Sequence, residues 1–229
     1  MVKKYKSIIR KIENPVEGVY TLTIEPITGK FRFAPGQFLH LSIDSDYDGV
    51  SQWPESRCFS IQTSPDDFGS LKITYSVKGA FTSQMREKIQ EGSEVWVKMP
   101  YGDLFEQEHR KENTVFISGG TGITPFLSLF TDSSFSEYSR PVLYAGFRSG
   151  ALNLYQEELK YAQSINSSLI THCIYEDKKG ILNIEKIAME SDVTNAFFIS
   201  GPPAMIKIFK QCLIKYGIPK TNILTDEWE

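Results

Sequence analysis

One stretch of the sequence, TVFISGGTGITPFLSLF at residues 114–130, joins two apolar runs through a glycine-rich turn. The first run is rich in β-branched and aromatic residues and predicts a strand, whereas the second predicts a helix. The three glycines of the turn allow backbone conformations closed to other residues and leave room for a ligand against the main chain. Thr124 and Pro125 suit the N-cap and the first helical position, so the positive end of the helix would face the turn. This arrangement favours an anion such as a pyrophosphate.

The hydrophobic pattern divides the 229 residues into two parts. Residues 5–100 contain about six short segments in which apolar and polar residues alternate, which predicts a small antiparallel barrel. A helix is predicted within this part at 82–90, where Thr82 or Ser83 can cap its start. From about residue 112, apolar segments alternate with helical ones, the pattern of a parallel sheet with crossover helices. The strands predicted there are 115–118, 142–147, 169–174 and 196–200, and the clearest helix is 204–216.

These patterns predict a two-domain β + α/β protein, with an N-terminal antiparallel β-barrel followed by a parallel-sheet, Rossmann-like α/β domain. The polar, charged segment 103–113 is the best candidate for the boundary. The expected domains are therefore residues 1–108, the barrel, and residues 109–229, the α/β domain.

Composition excludes several classes of function. The formal net charge of −3 gives no electrostatic case for nucleic acid or anionic membranes as partners. No apolar run approaches the thickness of a bilayer, and the N-terminus has no apolar signal core, so no membrane insertion and a cytoplasmic location are expected. Cys58, Cys173 and Cys212 are too far apart in sequence for an iron–sulfur or zinc site, and no metal is expected.

Five motifs in order resemble those of the ferredoxin–NADP reductase superfamily. They are Arg-Cys-Phe-Ser at 57–60 preceded by Pro-Gly-Gln-Phe at 35–38, SVKGAFTSQM at 76–85, Tyr-Gly-Asp-Leu-Phe at 101–105, Gly-Gly-Thr-Gly-Ile-x-Pro at 119–125, and Ser-Gly-Pro-Pro-Ala-Met at 200–205. The resemblance implies a flavin on the barrel and a nicotinamide nucleotide on the second domain, with hydride passing between them.

In the barrel, the resemblance implies that Arg57 binds a flavin phosphate and that Phe59 lies against the flavin ring. Ser60 would hydrogen-bond near flavin N5, the atom that receives hydride. Gly79 and Thr82 would hold the pyrophosphate at the start of the helix, which favours FAD, although FMN remains possible. The full set of expected flavin-binding residues is Arg57, Cys58, Phe59, Ser60, Val77, Gly79, Ala80, Phe81 and Thr82.

In the second domain, the resemblance implies a nucleotide site made by Gly120, Thr121, Gly122, Arg148, Glu176, Gly201, Pro202 and Met205. Ser200 stands where the family usually has cysteine, so altered rate or affinity is expected rather than loss of activity. Trp228 matches an aromatic residue that often covers the flavin, but a terminal tail or a packing anchor is an equal alternative. Ser60, Ser200 and Trp228 are the expected catalytic residues.

The choice between NADH and NADPH depends on few residues. Glu176 and Asp177 would repel a 2′-phosphate and accept from a 2′-hydroxyl, which favours NADH, whereas Lys178 and Lys179 favour NADPH. Of the two, NADH is the expected donor.

The sequence thus predicts an NAD(P)H-dependent flavoprotein reductase that passes electrons to a separate redox protein, such as a ferredoxin-like one, or to a small-molecule acceptor. Two alternatives stay open at this point. One is a free-flavin or ferric reductase that uses flavin as a substrate. The other is a non-catalytic subunit that transfers electrons or senses NAD(H).

Overall fold

The computed structural model describes residues 1–65 and 69–226 and divides the chain into two compact units, Met1–Asp103 and Leu104–Glu229. The division comes earlier than the expected 108/109 boundary because Leu104 belongs to the core of the second unit, where it is 4% exposed. Phe105 follows it into that core, with its ring 5.0 Å from the ring of Phe198.

The N-terminal unit is a six-stranded antiparallel sheet that curls into a nearly closed barrel. Its strands are β1 (Lys3–Val16), β2 (Val19–Pro26), β3 (Phe38–Ser42), β4 (Arg57–Ser60), β5 (Leu71–Ser76) and β6 (Glu94–Tyr101), and helix α1 spans Ala80–Lys88. The strands lie in the order β4-β3-β6-β1-β2-β5. Just after β4, the N–H of Gln62 donates to the carbonyl of Lys72 in β5 at 2.9 Å, which links the two edges.

Alternating side chains fill the barrel, as the period-two pattern predicts. In β3, Leu39 and Leu41 are fully buried, whereas His40 between them is only half-buried and faces outward. Phe81 and Met85 of α1 join the same core because they lie one helical turn apart. The predicted antiparallel barrel is confirmed.

The start of α1 differs from the prediction. The helix begins at Ala80 with Gly79 as its N-cap, so Thr82 is the third helical residue and neither Thr82 nor Ser83 is the N-cap. The Thr82 hydroxyl still serves the helix start, because it accepts from the N–H groups of Lys78 and Gly79 at 3.0 and 3.1 Å. The expected capping hydroxyl therefore acts from inside the first turn.

The second unit is a five-stranded parallel sheet in the order β11-β10-β7-β8-β9. Its strands are β7 (Val115–Gly119), β8 (Val142–Phe147), β9 (Ile170–Tyr175), β10 (Phe197–Ser200) and β11 (Ile223–Thr225), and its helices are α2 (Thr124–Phe130), α3 (Gln156–Ile165), α4 (Glu176–Lys179), α5 (Ile184–Glu190) and α6 (Pro203–Lys215). Helices α2 and α3 pack on one face of the sheet, and α5 and α6 pack on the other. The predicted parallel-sheet α/β domain is also confirmed.

The glycine turn after β7 is more regular than predicted. Gly120–Ile123 form a turn of 3₁₀-helix that runs directly into α2. Thr124 is the first residue of α2 rather than its N-cap, and its hydroxyl donates back to the carbonyl of Thr121 at 2.9 Å. The predicted N-cap role of Thr124 is therefore wrong.

Candidate functional site

The first candidate site lies where β4 meets the start of α1. The Arg57 guanidinium is exposed and lies over the ring of Phe81, 5.1 Å from its centre. It also donates to the Glu55 carboxylate at 3.1 Å and to the Ser56 carbonyl at 2.8 Å. The first N–H groups of a helix have no partner within the helix, so they can donate to a ligand. Arg57 and such a helix start therefore lie together in one small region.

The space beside this helix start suits a phosphate. A Cβ placed on Gly79 would meet no described atom within 4 Å, so the backbone at the N-cap is open to a ligand. Arg57 and the N–H groups of α1 are both donors to phosphate oxygens, and the two come from segments more than twenty residues apart. The sequence motifs 57–60 and 76–85 are therefore brought together in one unit.

Phe59 is half-buried on the same strand and packs against the barrel core. Its ring lies 6.0 Å from that of Tyr75, which in turn stacks on Tyr20 at 5.5 Å. Burial, followed by the nearby Tyr20, raises the pKa of Tyr75 to about 12, so this phenol stays neutral. Ser60, the expected partner of flavin N5, is half-buried at the end of β4 opposite Phe38.

Cys58 lies on the opposite face of β4 because successive strand residues alternate in direction. Its sulfur is 3.5 Å from Nε2 of His40 on β3, and burial raises the pKa of the thiol. Burial also lowers the pKa of His40, and the nearby Lys98 adds to this effect. Only the backbone of Cys58 is therefore in a position to serve a ligand held beside Arg57 and Phe59.

The second candidate site follows the carboxyl edge of the parallel sheet, where nucleotides bind in α/β proteins. The strand order places the expected nucleotide-binding residues along this edge. They are Gly201, Pro202 and Met205 after β10, Gly120, Thr121 and Gly122 after β7, Arg148 after β8, and Glu176 after β9.

The glycines of this edge have different roles. A Cβ on Gly122 would lie 2.6 Å from Gly201 Cα and 2.6 Å from the Ser200 carbonyl oxygen, so Gly122 permits close contact between two backbone segments. Gly120, by contrast, has φ of 57° and no described atom within 4 Å of a Cβ position. Gly120 thus gives the turn its shape and leaves space beside it. The Met205 side chain lies against Gly119 and Gly201.

Ser200 is 2% exposed at the end of β10, and its hydroxyl donates to the carboxylate of Asp226 at 3.1 Å. The N–H of Asp226 donates to the Ile199 carbonyl at 3.0 Å, which extends the pairing of β10 and β11 by one residue. Beside Ser200, in register on β7, Ser118 is fully buried, and its hydroxyl has no hydrogen-bond partner in the described part of the chain.

Ser118 and Asp226 are not among the site residues expected from the sequence. A signal for Ser118 was present, because the tetrapeptide Phe-Ile-Ser-Gly occurs both at 116–119 and at 198–201. The two copies lie side by side on neighbouring strands, with Ser118 opposite Ser200. Trp228, the third expected catalytic residue, lies outside the described residues.

At the other end of this edge, Arg148 and Glu176 follow two paired strands, and both are exposed. The Asp177 N–H donates to the Arg148 carbonyl at 3.2 Å, which joins the two segments. The Lys178 ammonium lies over the Tyr175 ring, 5.8 Å from its centre. The acidic and basic residues that bear on the choice of nucleotide therefore lie close together.

Asn153 anchors the loop between β8 and α3, a second feature that the sequence did not reveal. Its amide donates to the Tyr175 hydroxyl at 3.0 Å and lies 3.7 Å from the Cys173 sulfur. Burial raises the pKa of Cys173, so this thiol remains protonated and packs as a small apolar side chain.

The described residues contain no group of three or more His, Cys, Asp or Glu side chains arranged to hold a metal ion. Over the same residues, no helix combines the length and the apolar character needed to cross a bilayer. His109 has a structural setting, with Nδ1 2.6 Å from the Gln107 carbonyl and Nε2 2.7 Å from the Tyr138 hydroxyl.

Known proteins resemble the chain in both sequence and fold. Residues 116–211 match the family described as Oxidoreductase NAD-binding domain. The propane 2-monooxygenase reductase component of Mycolicibacterium smegmatis is 26% identical over 246 residues, which cover 99% of this chain and 68% of that relative.

Two solved structures share the fold. An Amycolatopsis cytochrome P450 reductase superposes with a TM-score of 0.84 and 16% identity, covering 99% of this chain and 70% of the other. A Neisseria gonorrhoeae ferredoxin NADP⁺ reductase, solved with FAD and NADP bound, superposes with a TM-score of 0.79 and 18% identity, covering 98% of each chain.

An antiparallel six-stranded barrel followed by a parallel sheet with a glycine turn at its carboxyl edge defines a two-domain NAD(P)H-dependent oxidoreductase. Residues 116–211 match the nucleotide-binding family, and the sequence similarity and fold of the chain together support the ferredoxin–NADP reductase superfamily. The family and the class of enzyme predicted from the sequence are thereby confirmed. The roles of the individual site residues stay predictions.

Proposed function

We propose that the chain takes a hydride from NAD(P)H onto FAD held by the barrel and passes the electrons to an acceptor on a separate chain. FAD supplies the chemistry, because it accepts two electrons as a hydride and can release them one at a time. The observation that carries this proposal is the meeting of Arg57 with the first turn of α1, which gives the barrel two kinds of phosphate donor in one place.

In this proposal, the chain binds the flavin by its phosphates and orients its ring. Arg57 exchanges its contact with Glu55 for a phosphate, and the free N–H groups of α1 bind the rest of the pyrophosphate. Phe59 supports one face of the flavin ring, and the Ser60 hydroxyl hydrogen-bonds beside N5. A site with two kinds of phosphate donor suits the pyrophosphate of FAD better than the single phosphate of FMN.

We propose NADH as the donor. Glu176 and Asp177 are exposed after β9, where a 2′-phosphate would meet two carboxylates and a 2′-hydroxyl would find acceptors. Lys178 is the nearest opposing charge in sequence, and its ammonium is turned towards the Tyr175 ring. The proposal of NADH therefore rests on the two carboxylates that come first after β9, whereas Lys178 is engaged by the Tyr175 ring.

The proposed acceptor is an oxygenase component or another redox protein. Support comes from the relatives, which are named as the reductase component of propane 2-monooxygenase and the ferredoxin reductase component of 3-ketosteroid-9-alpha-monooxygenase. The chain spans 68% and 57% of these two relatives. The proposal that this chain passes electrons to a partner thus rests on the names of relatives that are longer than the chain.

The test is the visible absorption spectrum of the purified protein, recorded anaerobically before and after NADH and, separately, NADPH. We expect the spectrum of bound oxidised FAD, bleached more readily by NADH, and reoxidation by a one-electron acceptor such as ferricyanide. A colourless protein that reduces only added free flavin would replace this function with that of a flavin reductase. A bound flavin that neither nucleotide reduces would refute hydride transfer altogether.

A further inference from the structure

The two Phe-Ile-Ser-Gly strand ends place two serine hydroxyls side by side at the carboxyl edge of the second unit. Ser118 and Ser200 are register partners on β7 and β10, and both belong to the sheet face on which Phe116 and Phe198 stack at 5.4 Å. Asp226 follows β11 on the far side of Ser200, and Ala145 is the register partner of Ser118 on β8. The polar row at this edge is therefore Ser118, Ser200 and Asp226.

The two hydroxyls have opposite hydrogen-bonding capacity. A carboxylate can only accept, so Ser200 must use its single O–H as the donor to Asp226, and its oxygen lone pairs remain as acceptors. The Ser118 hydroxyl has no partner in the described part of the chain, so its O–H is available as a donor. The row thus offers one donor and one acceptor on adjacent strands.

A primary carboxamide has the complementary pair of groups, a carbonyl acceptor beside an NH₂ donor. We propose that Ser118 and Ser200 together bind the carboxamide of the nicotinamide ring, with Ser118 donating to its carbonyl and Ser200 accepting from its NH₂. Asp226 is a positioning residue, because it fixes the direction of the Ser200 hydroxyl. This inference rests on the proposed use of NAD(P)H at this edge of the sheet.

The burial of Ser118 distinguishes a binding role from simple packing. A buried hydroxyl without a partner destabilises the nucleotide-free protein, and the cost is recovered when a ligand supplies the missing acceptor. Both serines are buried, at 0% and 2% exposure, so the proposed binding requires their neighbours to make room for the carboxamide. Removing the Ser118 hydroxyl should therefore change stability and affinity in opposite directions.

The first experiment compares Ser118→Ala with Thr114→Val in the flavin-loaded protein. Thr114 directly precedes the same strand and is equally buried, and its hydroxyl donates to the Arg110 carbonyl at 2.8 Å. We expect Ser118→Ala to melt at the same or a higher temperature while binding NAD⁺ about threefold to tenfold more weakly in calorimetry. Thr114→Val should melt at a lower temperature with unchanged NAD⁺ affinity.

The second experiment uses the oxidised acetylpyridine analogue of NAD, in which a methyl group replaces the carboxamide NH₂. Ser200→Ala should weaken NAD⁺ by about threefold to tenfold but leave binding of the analogue unchanged, since the analogue lacks the donor that Ser200 accepts. Ser118→Ala should weaken both ligands, because both keep the carbonyl.

The outcomes separate the two proposals. If NADH bleaches the wild-type flavin while Ser118→Ala and Ser200→Ala bind NAD⁺ and the analogue like the wild type, the carboxamide assignment is wrong and the proposed function stands. Equal losses for both ligands in Ser200→Ala would also overturn the assignment of Ser200. If no nucleotide binds or reduces the wild-type protein, the proposed function itself fails.

Discussion

Replacing Gly122 by alanine tests how the glycine turn after β7 meets the end of β10. The added Cβ would lie 2.6 Å from Gly201 Cα, 2.6 Å from the Ser200 carbonyl oxygen and 2.7 Å from Gly201 N. All three are backbone atoms, so no side chain can rotate away to make room. Since non-bonded carbon atoms prefer separations of about 3.5–4.0 Å, the two segments must move apart by about 1 Å.

This overpacking should cost about 1–3 kcal/mol of the free energy of unfolding of the second unit. For a chain of this size, that corresponds to a melting temperature lower by about 2–4 °C per kcal/mol. The same displacement separates the two segments that line the proposed nucleotide site, so NAD⁺ affinity should fall as well. The flavin-binding residues lie in the other unit, and flavin content should stay unchanged.

The measurements are thermal unfolding, NAD⁺ calorimetry and the ratio of flavin to protein absorbance. Gly150→Ala is the matched control, because Gly150 lies in the same unit and a Cβ there would meet no described atom within 4 Å. Its stability should stay within about 0.5 kcal/mol of the wild type. If Gly122→Ala were as stable as Gly150→Ala and bound NAD⁺ equally well, the close contact between the two segments would be refuted.

Three further predictions address the other sites. Arg57→Ala should weaken FAD binding by about tenfold to a hundredfold, because charge-assisted hydrogen bonds to the phosphate are lost. A flavin titration measures this, with Arg10→Ala as the control, since Arg10 is exposed and ion-paired in the same unit. Equal FAD affinities of the two variants would exclude Arg57 as a phosphate ligand. Glu176→Gln should raise the NADPH-to-NADH ratio of kcat/KM about fivefold by removing one repulsive charge, and an unchanged ratio would place the 2′ group elsewhere. Because burial holds the pKa of His109 below its usual range, the unfolded chain binds more protons between that pKa and about 6.5. Stability should therefore fall as pH drops through this window, less so in His109→Gln, and equal urea midpoint shifts between pH 7 and 5.5 would contradict the assignment.

The fold could be predicted because both units follow simple periodic rules. Leu39 and Leu41 alternate with His40 as a half-buried strand requires, and the buried strands of the second unit are short apolar runs followed by helices. The N-cap residues of α1 and α2 were predicted less accurately. A threonine hydroxyl that accepts from backbone N–H groups gives the same signal at the N-cap and inside the first turn, and Thr82 does the latter.

The polar row at the nucleotide edge could not be predicted in the same way. Ser118 and Ser200 are about eighty residues apart, and their adjacency depends on β10 pairing with β7 rather than on any local pattern. The same holds for Asp226, which follows a three-residue strand too short to stand out by periodicity. Motif resemblance identified Ser200 but said nothing of its neighbours.

The neighbours of Ser200 give a physical reason for serine at this position. A thiol is a weak hydrogen-bond donor, whereas a hydroxyl donates strongly to a carboxylate, so the contact with Asp226 suits serine better than the cysteine usual in the family. The bond fixes the hydroxyl and leaves its lone pairs free, and Ser118 adds a donor beside it. From the sequence alone, serine at position 200 indicates only the loss of the cysteine usual in the family. In the folded chain it is one part of a polar row that carries the donor and the acceptor an amide needs.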